Sequence, residues 1–196
     1  MEDRILERQR RRNEKQERKQ MVKSEVFDWV EAVIFALVTV IIIFTFLFRI
    51  VIVSGGSMTN TLQDGDRLIL NSIFYTPEAG DIVVISKATF MDGDPIIKRI
   101  IATEGQEVYI DPDTGKVSVD GVELQENYIK ELIQTDHLGD WEYPVTVPED
   151  CVFVMGDNRN GSYDSRREGV GMVKLNEIKG HAVLRLFPMS KFGSLD

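Results

Sequence analysis

A glycine-flanked serine and a lysine set among isoleucines are the two residues best placed to do chemistry together. Ser57 stands in Ser54-Gly55-Gly56-Ser57-Met58, where the glycines permit tight backbone conformations and close approach of a substrate. Lys98 stands in Ile96-Ile97-Lys98-Arg99-Ile100-Ile101. Alternate residues of a strand share a face, so Lys98 would lie beside Ile96 and Ile100. Burial there disfavours the ammonium form, and a neutral amine near pH 7 can accept a serine proton. A serine nucleophile needs such a base, together with donors for the oxyanion. Histidine usually serves, but His137 and His181 are far apart, and His137 lies in a polar stretch read as an exposed loop. Both residues also have plainer readings. Glycine-flanked serines occur in ordinary turns, and by pattern alone Lys98 is more readily a surface lysine on an edge strand.

Residues 156–166 form a third element, dense in small, amide and charged side chains: Gly-Asp-Asn-Arg-Asn-Gly-Ser-Tyr-Asp-Ser-Arg. It follows the apolar run 151–155 directly and describes an extensively hydrogen-bonded loop, or else a solvated surface turn. Asp164 and Arg166 are suited to an ion pair, and the Ser162 hydroxyl to orienting an amine. Cys151 is the single cysteine, which excludes an internal disulfide, and its apolar neighbours read as a buried strand.

The elements that must position these residues are short strands with turns between them. Residues 67–70, 81–85 and 96–101 are aliphatic runs separated by Asp-, Gly- and Pro-rich turns. Residues 108–110 and 117–119 flank a turn at 111–115 and predict a hairpin, and Asp120-Gly121 turns the chain into 122–124. Residues 151–155 and 182–187 supply later strands. Residues 125–144 are polar and aromatic, read as a short helix or an excursion from the main sheet. The fold class is mostly β, with one N-terminal transmembrane helix.

Residues 32–48 are apolar apart from Thr39 and Thr45. As a helix those seventeen residues reach about 25 Å, a little short of a hydrocarbon core of roughly 30 Å. Trp29 and Val30 extend the span inward and residues 50–53 outward, with Arg49 snorkelling. Residues 1–23 carry a net charge of +4, from nine Lys/Arg and five Asp/Glu, whereas residues 49–196 carry −10, from fourteen and twenty-four. The orientation rule then predicts a cytoplasmic N-terminus and an extracytoplasmic C-terminal domain on a single-pass protein of the cytoplasmic membrane. A cleaved leader is disfavoured, because bulky residues 51–53 follow the span where a small-x-small site would stand. The basic arm interleaves glutamates and glutamines, which suits a juxtamembrane helix better than nucleic acid. The reading divides the chain into a basic cytoplasmic arm (1–25), an anchor (26–49) and a catalytic β domain (50–196). Within the last, a small accessory region occupies about 111–150.

These three motifs in this order, behind an anchor, resemble the type I signal peptidases of bacteria, the serine–lysine dyad enzymes of the S26 signal peptidase family. Residues 156–166 follow the family pattern G-D-N-R-x-x-S-x-D-S-R at every fixed position. Ser57-Met58 with Thr61-Leu62 matches the nucleophile motif, and Lys98-Arg99-Ile100-Ile101 the segment of the general base. The resemblance implies an antiparallel β fold with an apolar surface near the membrane, and an endopeptidase that removes signal peptides from exported preproteins. It implies Ser57 as nucleophile, Lys98 as base, and Ser162 as a hydrogen-bond partner that fixes the lysine. Asp164 and Arg166 become a supporting ion pair, with Asp157 and Arg159 shaping the same loop. Substrates carry small residues at the positions one and three before the cut. Partners are the preproteins, membrane lipid and the nearby export translocon; no metal or organic cofactor is implied.

The chain departs from the family at three points. Asn60 stands where proline is usual, and Ala102-Thr103-Glu104-Gly105-Gln106 replaces a Gly-Leu-Pro-Gly-Asp type of loop. Gly55 occupies the position where some relatives place a serine oxyanion donor, leaving the Ser57 backbone N–H as the donor identified. Two other functions compete: a related Ser–Lys maturation protease with a dedicated substrate, and an inactive membrane-anchored binding module.

Overall fold

The structure, a computed structural model, describes residues 27, 29–42, 48–73, 75–90 and 93–195. The basic arm at 1–25 and parts of the anchor lie outside the described residues. The chain divides into two units, Met1–Phe46 and Leu47–Asp196. In the first, residues 29–42 are helical. Among the described residues no helix is long and apolar enough to cross a membrane.

Among the described residues the second unit holds twelve strands: β1 Phe48–Ile52, β2 Arg67–Asn71, β3 Ile82–Ile85, β4 Ile96–Thr103, β5 Glu107–Ile110, β6 Val117–Val119, β7 Val122–Glu123, β8 Val145–Thr146, β9 Cys151–Met155, β10 Val173–Lys174, β11 Ile178–Phe187 and β12 Gly193–Ser194. The larger sheet runs β1-β2-β11-β3-β4-β9-β10, with β12 beside β11, and the smaller runs β7-β6-β5-β8. Every pairing among these strands is antiparallel.

Alternation along the central strands explains how one sheet serves several cores. In β3, Ile82 and Val84 enter one apolar cluster with Met58, Leu62 and Leu70, while Val83 and Ile85 enter another with Ile100 and Val154. A strand buried on both faces reads as an unbroken apolar run, which is how 81–85 stood out. In β9 the split is the same: Val152 and Val154 face the second cluster, while Cys151, Phe153 and Met155 join a third. This third cluster welds the small sheet to the large one through Val108, Ile110 and Val117.

Two stretches differ from the sequence reading. Residues 48–49, assigned to the anchor, and 50–52, assigned to its extension, form β1, registered on β2 with Ile50 opposite Ile69 and Ile52 opposite Arg67. β-Branched residues that fit a membrane helix fit a pleated edge equally well, and pairing with β2 decides between them. Residues 125–144 hold one short 3-10 turn, Thr135–His137, and otherwise wrap as irregular chain.

β4 sets up the site by changing partners partway. Its first half pairs with β3, from Ile96 opposite Ile85 to Arg99 opposite Ile82, whereas pairing with β9 begins only at Arg99 opposite Met155. Residues 96–98 therefore keep one ladder edge without a partner strand among the described residues. A bulge between Ile100 and Ala102 then redirects the strand.

Candidate active site

Ser57 opens a tight turn between β1 and β2. The turn is pinned by Met58 and Leu62, 2% and 0% exposed, and by the Leu62 N–H donating to the Met58 carbonyl at 2.8 Å. Met58 thus packs in the core. Gly55 has φ +86°, a left-handed conformation that a side chain would strain, and its N–H donates to Asp64 Oδ1 at 2.9 Å. From beneath, Arg185 donates to the Thr61 carbonyl and pairs with Asp66 at 3.3 Å.

Lys98, on the half-paired stretch of β4, reaches this turn. Its Nζ donates to Ser57 Oγ at 2.9 Å and to the Ile97 carbonyl at 3.0 Å. The side chain is buried, the residue being 3% exposed. Burial is the main cause that holds its pKa down at about 8, from an ordinary 10.5. The Asp164 carboxylate opposes that shift, Arg166 reinforces it, and Asp157 opposes it more weakly. An amine with this pKa is half neutral at about pH 8, and it already touches the hydroxyl it would deprotonate.

The loop at 156–166 surrounds the pair. Gly156 admits no side chain, because a Cβ there would collide with the Ser57 carbonyl oxygen and Ser162 Oγ. The Asn158 N–H donates to the Ser57 carbonyl at 3.0 Å, and Asn158 Nδ2 to the Gly56 carbonyl at 3.0 Å. Asp164 and Arg166 form a buried two-pronged pair, with Nε to Oδ1 at 2.8 Å and Nη2 to Oδ2 at 2.9 Å. Burial alone would raise the Asp164 pKa, but Arg166 and the hydrogen bonds to the carboxylate, the Gly156 N–H among them, together hold it below its usual value.

Asp157, fully buried, takes Arg99 Nε at 2.9 Å and Arg99 Nη2 at 2.8 Å, and accepts the Thr61 hydroxyl on the same carboxylate. One carboxylate therefore ties the serine turn, the lysine strand and the loop together.

One placement differs from expectation. Ser162 makes no hydrogen bond to Lys98: its buried Oγ lies against Gly156 and has no hydrogen-bond partner among the described residues. Arg159, fully buried, donates through Nε to the Gly156 carbonyl within the loop and pairs through both Nη atoms with Glu126, at 2.9 Å for Nη1 to Oε2. Sequence reasoning assigned no role to Arg99, Thr61, Glu126 or Tyr128. Arg99 and Thr61 stood inside quoted motifs; Glu126 and Tyr128 sit in the stretch with no periodicity. His181 lies on β11 against Tyr75 and Asp81, its ring centroid 5.0 Å from that of Tyr75.

An open groove of about 350 Å³ leads to Ser57 and Lys98. Its walls are Val51 and Ile52 from β1, Val84 from β3, and Ile96 and Ile97 from β4, with Ser54, Asp94 and Pro95 at its margin.

The chain matches the family described as signal peptidase, peptidase S26, over residues 26–187. It is 37% identical to signal peptidase I P of Bacillus subtilis subsp. natto, across 86% of this chain and 93% of that protein. It is 40% identical to probable signal peptidase I-1 of a Synechocystis species, across 73% of each. Among solved structures, a signal peptidase I from Enterococcus faecalis V583 aligns with a TM-score of 0.46 at 26% identity, covering 56% of this chain and 98% of that one. With so much of its length shared at such identity, this chain belongs to the peptidase S26 family of signal peptidases and is a hydrolase of the signal peptidase I type.

Proposed function

We propose that this enzyme cleaves N-terminal signal peptides from exported preproteins, with Ser57 as nucleophile and Lys98 as general base. The observation that carries the reading is the 2.9 Å contact between a buried lysine amine and a hydroxyl at the end of an apolar groove. Neutral Lys98 takes the Ser57 proton as Oγ attacks the scissile carbonyl, and returns it to the departing amine. The Ser57 backbone N–H makes no hydrogen bond among the described residues, which leaves it for the oxyanion. Water, deprotonated in turn by Lys98, then hydrolyses the acyl-enzyme. Asp164 with Arg166, Asp157 with Arg99, and Arg159 support the pair from behind.

The groove favours an extended apolar peptide. The half-free edge at 96–98 offers backbone hydrogen bonds to an added strand, and the walls from β1 and β4 offer shallow apolar contact to small side chains. In this reading residues 1–25 lie in the cytoplasm, the apolar stretch from 26 to the start of β1 anchors the chain in the cytoplasmic membrane, and the catalytic domain works outside, near lipid and the export translocon. The +4 and −10 charges of the two ends support that orientation.

The test is incubation of the detergent-solubilised enzyme with a labelled preprotein carrying an Ala-x-Ala site, with N-terminal sequencing of the product. Ser57→Ala and Lys98→Ala should each abolish cleavage while leaving the circular dichroism spectrum unchanged. Near-normal turnover in either variant rejects the dyad. Cleavage of one substrate out of a broad preprotein panel would instead indicate a dedicated maturation protease.

A further inference from the structure

Between β7 and the 3-10 turn at Thr135–His137, residues 126–134 form neither helix nor strand, yet they are laced to the catalytic elements at point after point. The Lys130 N–H donates to the Asp157 carbonyl at 3.1 Å, and the Ile129 carbonyl accepts Asn60 Nδ2, from the serine turn, at 3.1 Å. Asn160 closes the far end: its Oδ1 takes the Gln134 N–H at 2.9 Å and its Nδ2 donates to the Leu132 carbonyl at 2.9 Å. Two side chains reach deeper. Glu126, its side chain 6% exposed, holds the fully buried Arg159, whose Nε donates to the Gly156 carbonyl at 3.1 Å. The Tyr128 ring covers the Arg99 guanidinium with its centroid 4.0 Å away, and the Tyr128 hydroxyl donates to Glu126 Oε1 at 3.2 Å.

We propose that residues 126–134 are a positioning strap for the catalytic loop, in which Tyr128 acts through Arg99 and Glu126 through Arg159 to hold the groups around Lys98. This rests on the reading of Ser57 and Lys98 as the reacting pair. The physical reason lies in the buried charges. Asp157 and Asp164 both favour the charged form of Lys98, and each is kept in check by an arginine. Arg99 is held against Asp157 partly by the tyrosine face above it, a contact that strengthens when desolvated. Should Arg99 drift, the field of Asp157 at Lys98 is less well balanced and the amine keeps its proton to higher pH. Arg159, with no solvent around it, is held in place by Glu126 facing it; losing that partner leaves a buried charge unpaired and loosens the Gly156 backbone, which packs on the Ser57 carbonyl. Tyr128 and Glu126 are thus positioning residues that touch no substrate.

The experiment compares kcat and KM across pH for the full-length enzyme in detergent, using an Ala-x-Ala peptide. Tyr128→Leu should lower kcat about tenfold or more, since small misplacements of reacting groups have effects of that size. KM should stay near the wild-type value, and the midpoint of the rising pH limb should move upward. Tyr128→Phe, which keeps the ring, should restore most of kcat and the wild-type midpoint. Glu126→Gln, nearly isosteric, should also lower kcat without changing KM, and it decides the matter if the leucine variant fails to fold. A strap with only a structural part would give variants of lower melting temperature but unchanged kcat and pH midpoint, and that result overturns the proposal. A wild-type enzyme that fails to cleave condemns the dyad reading, a different outcome from strap variants that cleave normally.

Discussion

At the scale of the residue, Lys98 trades stability for reactivity. Its pKa is held at about 8 in the folded protein and is 10.5 when free. Between those values the unfolded chain binds more protons than the folded one, so stability rises with pH across that window. Below pH 8 the fold bears the full penalty of burying an ammonium. We expect Lys98→Met to be inactive yet more stable by about 2–3 kcal/mol at pH 6–7, a gain that shrinks as pH climbs toward 10.5. Urea unfolding at several pH values measures it, and a gain independent of pH would contradict the assignment. Activity has the matching profile: kcat/KM should rise through about pH 8 as the free amine appears. Removing both His137 and His181 should leave that limb in place.

At the scale of the element, β4 and the 156–166 loop behave as one part because the buried Arg99–Asp157 ion pair joins them. Arg99→Met leaves the Asp157 carboxylate buried with its main counter-charge gone, and should destabilise the protein by about 3–5 kcal/mol. Changing Asp157 to Leu in the same chain should recover most of the stability, because an apolar pair can replace a buried ion pair. It should not recover turnover, because Asp157 also joins the serine turn through Thr61. Thermal unfolding and peptide cleavage on the single and double variants separate the two effects. The glycine at the start of the loop is as constrained. Gly156→Ala should reduce cleavage sharply, since its methyl would push on the Ser57 carbonyl.

At the scale of the whole molecule, the three apolar clusters all lie between residues 51 and 195. The unit Leu47–Asp196 should therefore fold without the residues before it, giving the same β-rich spectrum and a melting temperature within a few degrees of the full chain. Its surface is not that of an ordinary soluble domain. Ile50, Ile52, Phe187, Met189 and Phe192 are each more than half exposed. Ile52 and Phe187 lie on either side of Arg67 in the register of β1, β2 and β11, which makes a rim of apolar side chains around Arg67 from strands distant in sequence. That rim suits the proposed work at a lipid surface, and the truncated unit should need detergent to stay monomeric at high concentration.

The sequence by itself determined what depends on near neighbours. Runs such as 81–85 and 151–155 read as strands, the 111–115 turn implied its hairpin, and ordered motifs pointed to a serine and a lysine as the reacting pair. Tertiary structure decided which charges meet. Asp157 and Arg159 lie two residues apart, yet each pairs elsewhere: Asp157 with Arg99 across 58 positions, and Arg159 with Glu126 across 33. The same holds for β1, whose residues suit a helix until β2 lies alongside, and for Ser162, whose buried hydroxyl packs against Gly156 and makes no hydrogen bond to the lysine. A local pattern records the propensity of a segment, but a buried charge or an edge strand takes whichever partner the packing of distant segments puts against it.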